Sequence, residues 1–344
     1  MGLANLGNTC FMNTCLQIMA HTFELNEVIL KPDPRPTDLR STDLRPTDLR
    51  SADSVVAVQW RDLLVELWKR RDKESVLHPK RFLFYIQKTA EKKGNACFTG
   101  YAQNDFSEFL HFFVQELHGA TKRPMEVTIR GTVTNDVDTV AMECYKMLQT
   151  EYAKEYSEVL TILHGVAVSE LLPVTSFDKK RHSVVPELFY TLDVTVAPSL
   201  VESLNTYFKE ELIEDWTNEE TGVQENVIKR IRIWSLPPIV TITLKRFNNA
   251  GKKDNTMVQY PISNLSMEPY VCGYKKDITI YDLYGVACHI GTTRGGHYFA
   301  MVKNGMTGKW YCYNDEHVTA IEDEKDIVNP YAYCLFYRRC STSN

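Results

Sequence analysis

A change in hydrophobic period near residue 184 constrains the fold of this chain more than any other feature. Before it, apolar side chains recur at the spacing of helical turns. Trp60, Leu63, Leu64, Leu67 and Trp68 form one stripe; Phe82, Leu83, Ile86 and Ala90 form a second, opened by Pro79, which suits a first helical turn. Phe106, Phe109, Leu110, Phe113 and Leu117 predict a third helix from about Asn104 to Gly119. Residues 137–163, with Val140, Ala141, Cys144, Tyr145, Leu148 and Tyr152, read as helical again. Beyond 184 the period is two. Leu188, Tyr190, Leu192 and Val194 alternate, as do Val240, Ile242 and Leu244, then Tyr298, Ala300 and Val302. Helices first and strands later predict an α+β class with an antiparallel sheet.

The 344 residues can bury a sizeable core, and 44% hydrophobic with 24% charged content is ordinary for a globular protein. A net charge of −5 gives no reason to expect nucleic acid or an anionic membrane as partner. No 18-residue apolar run and no signal-peptide apolar region is found. The nine cysteines are odd in number and contain no C-x-x-C, which argues against a disulfide framework and a cysteine zinc site. A reducing compartment, cytoplasmic or nuclear, is expected. No nucleotide-binding loop occurs, and no cofactor is expected. Residues 36–50 repeat a unit of the type Pro-Thr-Asp-Leu-Arg three times, so 32–53 is predicted to be a flexible low-complexity insertion.

Chemistry concentrates first near the N-terminus. The string Gly2-Leu3-Ala4-Asn5-Leu6-Gly7-Asn8-Thr9-Cys10-Phe11-Met12-Asn13-Thr14-Cys15 places Cys10 where a Gly/Asn-rich turn enters a helix that Asn8 or Thr9 can cap. A thiol in a first helical turn lies beside unpaired N–H groups and the positive end of the helix dipole, both of which favour the thiolate. Gly7 lets backbone approach a substrate closely, and Asn5 can aim its amide at an oxyanion forming beside Cys10.

A nucleophilic cysteine needs a base and an orienter. Of nine histidines, His297 is best placed, opening a strand after Gly295 and Gly296. The two glycines leave room for a chain to thread past. Residues 297–302 and 309–315 flank a turn-rich stretch and read as a hairpin. A turn centred between 305 and 306 pairs His297 with Asn314, and one centred on 306 pairs it with Asp315. Both registers stay open at this point. His289 and His317 are the competing bases.

These strings resemble the Cys and His boxes of the ubiquitin-specific proteases, a family of cysteine deubiquitinases. The first match runs from Gly2 to Gln17; the second combines Gly296-His297-Tyr298-x-Ala300-x-Val302-Lys303 with Trp310-Tyr311-x-Tyr313-Asn314-Asp315. A third block, Gln103-Asn104-Asp105-Phe106-Ser107-Glu108-Phe109-Leu110, is similar to the family's Gln-Gln-Asp-Ala-x-Glu-Phe-Leu, with Asn104 in place of the second Gln. The resemblance covers nearly the whole chain. It implies a papain-like architecture of helical thumb, antiparallel-sheet palm and fingers, forming one catalytic domain over residues 1–344. It implies thiol-dependent hydrolysis of the isopeptide bond after the C-terminal glycine of ubiquitin, with ubiquitin and ubiquitinated proteins as partners of a monomer. Asn314 then orients His297 and Asp315 supports the site. Asp105 and Glu108 pair with arginines of ubiquitin's tail, and Gly295, Gly296 and Tyr298 lie along the substrate's path. Many members carry two C-x-x-C zinc pairs in the fingers. Here those positions fall on Asn218 and Thr221 and near Pro173 to Ser176, so no finger zinc is expected. The motif begins at residue 2, and no recognition domain is expected ahead of it. Alternative readings are a catalytically weak ubiquitin-binding module and an isopeptidase for a ubiquitin-like modifier.

Overall fold

The computed structural model describes residues 1–31, 55–69, 76–174, 181–219, 221–248, 250–292 and 295–340. The predicted insertion at 32–53 lies outside them, so its structure is not described. The chain opens with β1 (Gly2–Leu3), α1 (Cys10–Ala20), α2 (Phe23–Leu30), α3 (Val55–Lys69), β2 (Val76–Leu77) and α4 (Lys80–Lys92). Then come α5 (Phe106–Thr121), α6 (Asp136–Glu155) and α7 (Glu158–Leu163). The predicted helix at 137–163 is therefore two. Tyr156 leaves the helix to bridge Arg123, and the Ser157 hydroxyl accepts the Leu160 N–H to start α7.

Every residue of α1 is buried, polar ones included. Two of those polar side chains donate to the backbone at the start of the chain. Gln17 Nε2 donates to the Met1 carbonyl (3.0 Å), and Asn13 Nδ2 donates to the Ala4 carbonyl (3.2 Å). Together they strap β1 across the helix. α5 packs beside α1 through aromatic edges: Phe11 meets Phe109 at 5.4 Å, and Trp60 of α3 meets Phe113 at 5.3 Å.

The second half carries β3 (Gly165–Pro173), β4 (Ser183–Phe189), β5 (Thr191–Thr195), α8 (Leu200–Tyr207), β6 (Glu211–Thr217), β7 (Gln224–Ser235), β8 (Ile239–Lys245) and β9 (Leu265–Ser266). It ends with β10 (Ile280–Thr292), β11 (Gly295–Lys303), β12 (Trp310–Asn314), β13 (His317–Ile321) and β14 (Ala332–Arg339). One sheet runs β13-β12-β11-β10-β14-β8-β5, with β9 paired to β10; a second runs β4-β3-β7-β6. Two expectations need correction. Apart from the short β1–β2 pair, strand structure begins at Gly165, ahead of 184. The larger sheet is also not purely antiparallel, because β5 pairs β8 in parallel. The long connection through α8 and the β6–β7 hairpin brings the chain back in the same direction. The large sheet lies between two apolar clusters. One joins it to α1, α3, α4 and α5, and the other packs α8, Val258 and Tyr260 on the opposite face. The helical layer, this sheet and the smaller sheet occupy the places of thumb, palm and fingers.

Candidate active site

Cys10 is the first residue of α1 and is 5% exposed. Thr9 occupies the cap position, yet its hydroxyl accepts the Leu6 N–H (2.9 Å) and makes no cap bond to the helix. Gly7 (φ 104°) and Asn8 (φ 54°) turn the chain sharply into that start. The first-turn amides are left facing the thiol: N–H groups of Phe11 and Cys10, and of Tyr298 across the cleft, lower its pKa. Burial acts more strongly and the Asp315 charge adds to it, so without substrate the thiol stands above its ordinary value. A base must therefore draw off its proton. Cys15, Cys288 and Cys334, wholly buried, are also pushed up by burial.

The candidate base is carried by β11. His297 Nε2 lies 2.6 Å from Asn314 Oδ1. A carbonyl oxygen only accepts, so Nε2 is the donor in this contact. The hairpin register corrects both expectations. Ala300 faces Tyr313 and Lys303 faces Trp310, one step beyond the later of the two anticipated turns. The reason is a wider turn: Asn304 N–H bonds Lys309 O, while Asn304 Oδ1 takes the N–H groups of Met306 and Thr307. In this register His297 and Asn314 share a sheet face as diagonal neighbours. Asp315 leaves the ladder at φ 50° and sits 4.0 Å from His297 Nε2.

Asp315 instead ties the site together. Its oxygens accept from Asn5 Nδ2 (2.9 Å) and Asn13 Nδ2 (2.8 Å), and its carbonyl accepts the Leu3 N–H (2.8 Å). Asn5 is aimed by that contact and by its own Oδ1, which accepts the N–H groups of Gly7 and Thr9. One of its two amide hydrogens is used by Asp315.

The remaining site residues separate. Glu108 is exposed and lines a cavity of about 500 Å³ with His111, Tyr190 and Asp193. Asp105 is engaged elsewhere. Its Oδ1 caps α5 through Ser107 N (2.7 Å) and Glu108 N (3.2 Å), and its Oδ2 accepts from Tyr298 OH (3.0 Å) and Tyr333 OH (2.8 Å). Tyr298 is buried, its ring 4.6 Å from His289. Gly295 has open space beside it. At Gly296 an added Cβ would come 2.2 Å from His289 Nε2, so that glycine makes room for a ring of this chain. His289, buried and beside Lys253, has its pKa lowered to about 4 and stays neutral. His317 is exposed on β13 opposite Asn314. Sequence reasoning missed Tyr333, Asn13 and the part played by Gln103. Asn13 was readable, one helical turn after Cys10; Tyr333 had no local signal. Among the described residues no group of three or more His, Cys, Asp or Glu is arranged to hold a metal ion.

The family model described as ubiquitin carboxyl-terminal hydrolase matches residues 1–337. The chain belongs to that family. Among curated hydrolases of this name, the rat ubiquitin carboxyl-terminal hydrolase 2 is 29% identical over 352 residues, covering 99% of this chain and 54% of that protein. Ubiquitin carboxyl-terminal hydrolase 8 of Saccharomyces cerevisiae is 26% identical over 356 residues, covering 98% of this chain and 70% of that one. The chain thus spans about half the length of the mammalian hydrolases it matches. Among solved structures, the SAGA DUB module of Ubp8, Sgf11, Sus1 and Sgf73 bound to ubiquitin aldehyde matches with a TM-score of 0.70 at 23% identity, over 99% of this chain and 70% of that one. The same module bound to monoubiquitin gives 0.71. The hydrolase fold expected from the sequence is the fold found.

Proposed function

We propose that this chain is a thiol-dependent deubiquitinase that hydrolyses the isopeptide bond after the C-terminal glycine of ubiquitin on conjugates. The observation that carries the reading is Cys10 at an uncapped helix start, beside a strand whose His297 Nε2 is held 2.6 Å from Asn314 Oδ1. His297 Nδ1 takes the thiol proton and the thiolate attacks the glycine carbonyl carbon. Backbone N–H groups at Cys10 and the free amide hydrogen of Asn5 bind the oxyanion. Collapse breaks the C–N bond as His297 protonates the leaving lysine amine. Water, deprotonated by the same imidazole, then cleaves the thioester and releases the carboxylate. Asn314 orients the ring without adding charge, and Asp315 holds Asn5. Glu108, exposed at its cavity, is the carboxylate available to an arginine of the tail. The family membership and the ubiquitin-bound neighbours support this substrate class. The odd number and scattered spacing of the cysteines support a reducing compartment.

A panel of vinyl-type activity probes carrying ubiquitin or ubiquitin-like modifiers tests the proposal. Cys10 alone among the nine cysteines should form the ubiquitin adduct, read by peptide mass spectrometry. Adducts only with another modifier would change the substrate. Tight ubiquitin binding without any adduct would make the chain a binding module.

A further inference from the structure

The segment leading into α5 grips the catalytic strand on both sides of the imidazole. Gln103 Nε2 donates to the Gly296 carbonyl (3.1 Å), and the Gly296 N–H donates to Gln103 Oε1 (3.0 Å). Two residues on, Asp105 holds the hydroxyl of Tyr298. His297 lies between these anchored neighbours. Backbone groups of alternate residues point to the same edge of a strand. On β11 the edge that faces β12 is paired from Ala300 onward, where the β12 ladder ends. Below that point the same edge meets the Cys10 thiol at Tyr298 N–H, then the Gln103 amide at Gly296. A side-chain amide thus continues the ladder that β12 abandons, with the nucleophile seated in the gap.

We propose that Gln103 and Asp105 are positioning residues for His297, fixing the height of its peptide against Cys10. The proposal rests on the hydrolase reading above. An ionised carboxylate offers about four acceptor sites. Those of Asp105 already meet two backbone N–H groups and two tyrosine hydroxyls. Burial and the neighbouring Asp105 charge push both tyrosine pKa values up, so these hydroxyls stay protonated donors. Taking Asp105 away would strand two donors on buried rings, Tyr298 at 6% and Tyr333 at 8% exposure.

The test uses Gln103→Met and Tyr298→Phe in the full chain, because both leave the α5 cap intact, where Asp105→Ala would remove it. Three quantities are measured: kcat and KM on a fluorogenic amide of the ubiquitin C-terminus, the iodoacetamide alkylation rate at Cys10 by peptide mass spectrometry, and Tm. Exposed Cys97 serves as the internal reference for alkylation. Each variant should lower kcat by about 10- to 100-fold, the scale of a sub-ångström to 1 Å misplacement, with KM within about twofold and Tm unchanged. Cys10 alkylation should slow in parallel while Cys97 does not. The double variant should lose less than the product of the two, since both act on one strand. A raised KM at unchanged kcat, or unaltered Cys10 alkylation, overturns the proposal. If the unmodified chain cleaves no ubiquitin substrate but the alkylation effects stand, the hydrolase reading has failed and the positioning assignment survives.

Discussion

In the palm, β8, β10 and β14 run between two apolar clusters, and side chains on both faces, such as Val286, Ala287, Leu335 and Phe336, are fully enclosed. In the finger sheet most of β4 and β6 is exposed or half-exposed, and an apolar cluster gathers at the base, where Val166, Val168 and Trp234 meet α6. Further out, the middle of that sheet holds one carboxylate. Glu170 is 0% exposed and accepts from Arg181 Nε (2.6 Å), Arg232 Nε (2.8 Å) and Arg230 Nε (3.2 Å). The palm is held by area removed from water, spread over many residues. The fingers are held by a few charges that must all be present, since removing one partner of a buried ion group leaves the others uncompensated. The active site stands on the first kind of support. Its geometry should outlast damage to the second.

The sharpest separation of chemistry from scaffold is Cys10→Ala. It should reduce turnover by on the order of 10⁴-fold or more, the loss seen when a nucleophile is removed, while Tm moves little. Glu170→Ala should come next, destabilising by about 3–5 kcal/mol. Hydrogen exchange should show amides of β3 and β7 losing protection while β10 and β14 keep theirs; uniform loss across both sheets would erase the distinction. Asn314→Ala should lower kcat by about 10²-fold, an orientation effect, and Asn314→Asp should retain a working pair because either side chain accepts from Nε2. Asp315→Ala should act through Asn5 and Asn13; abolished turnover there with a neutral Asn314→Ala would reverse the assignment.

Acid probes the other side. Burial lowers the pKa of His21 and of His164 from 6.5 to about 4, and both lie on the helical and palm side. As the pH falls from 6.5 toward 4 the unfolded chain takes up these protons before the folded one. Stability is therefore full above 6.5, falls through that window and levels off below it. At pH 5 the loss should be on the order of 1–2 kcal/mol for each histidine, read from denaturant midpoints. His21→Gln should flatten part of that slope. A strong chelator should leave the exchange protection of the finger sheet unchanged, because an ion cluster built from side chains needs no metal.

How legible this was follows the distance between interacting residues. Cys10, His297 and Asn314 sit in short continuous strings, and the resemblance carried by those strings named all three. The hairpin register was not legible, because the turn width depends on how one side chain, Asn304, folds its amide onto Met306 and Thr307. Strand β3 escaped because Gly165–Pro173 is buried on both faces at its start and lacks alternation. The contacts of Asp105 escaped for a related reason. Its partner Tyr333 lies 228 residues away, and no local pattern announces it. Nor did any spacing reveal that residues as far apart as Glu170 and Arg232 would share one buried charge.

The bare start of α1 has a consequence for anyone selecting sturdier versions of this protein. A proper side-chain cap is worth about 1 kcal/mol. Thr9 spends its hydroxyl on Leu6 instead, so the molecule forgoes that stabilisation at the helix end where, on the proposed mechanism, the Cys10 thiol needs company from unpaired amides. A heat-resistance screen scored only on folding should therefore enrich replacements at positions 8 and 9 that close the cap. The winners would be robust and inert, and the same screen scored on turnover should discard them.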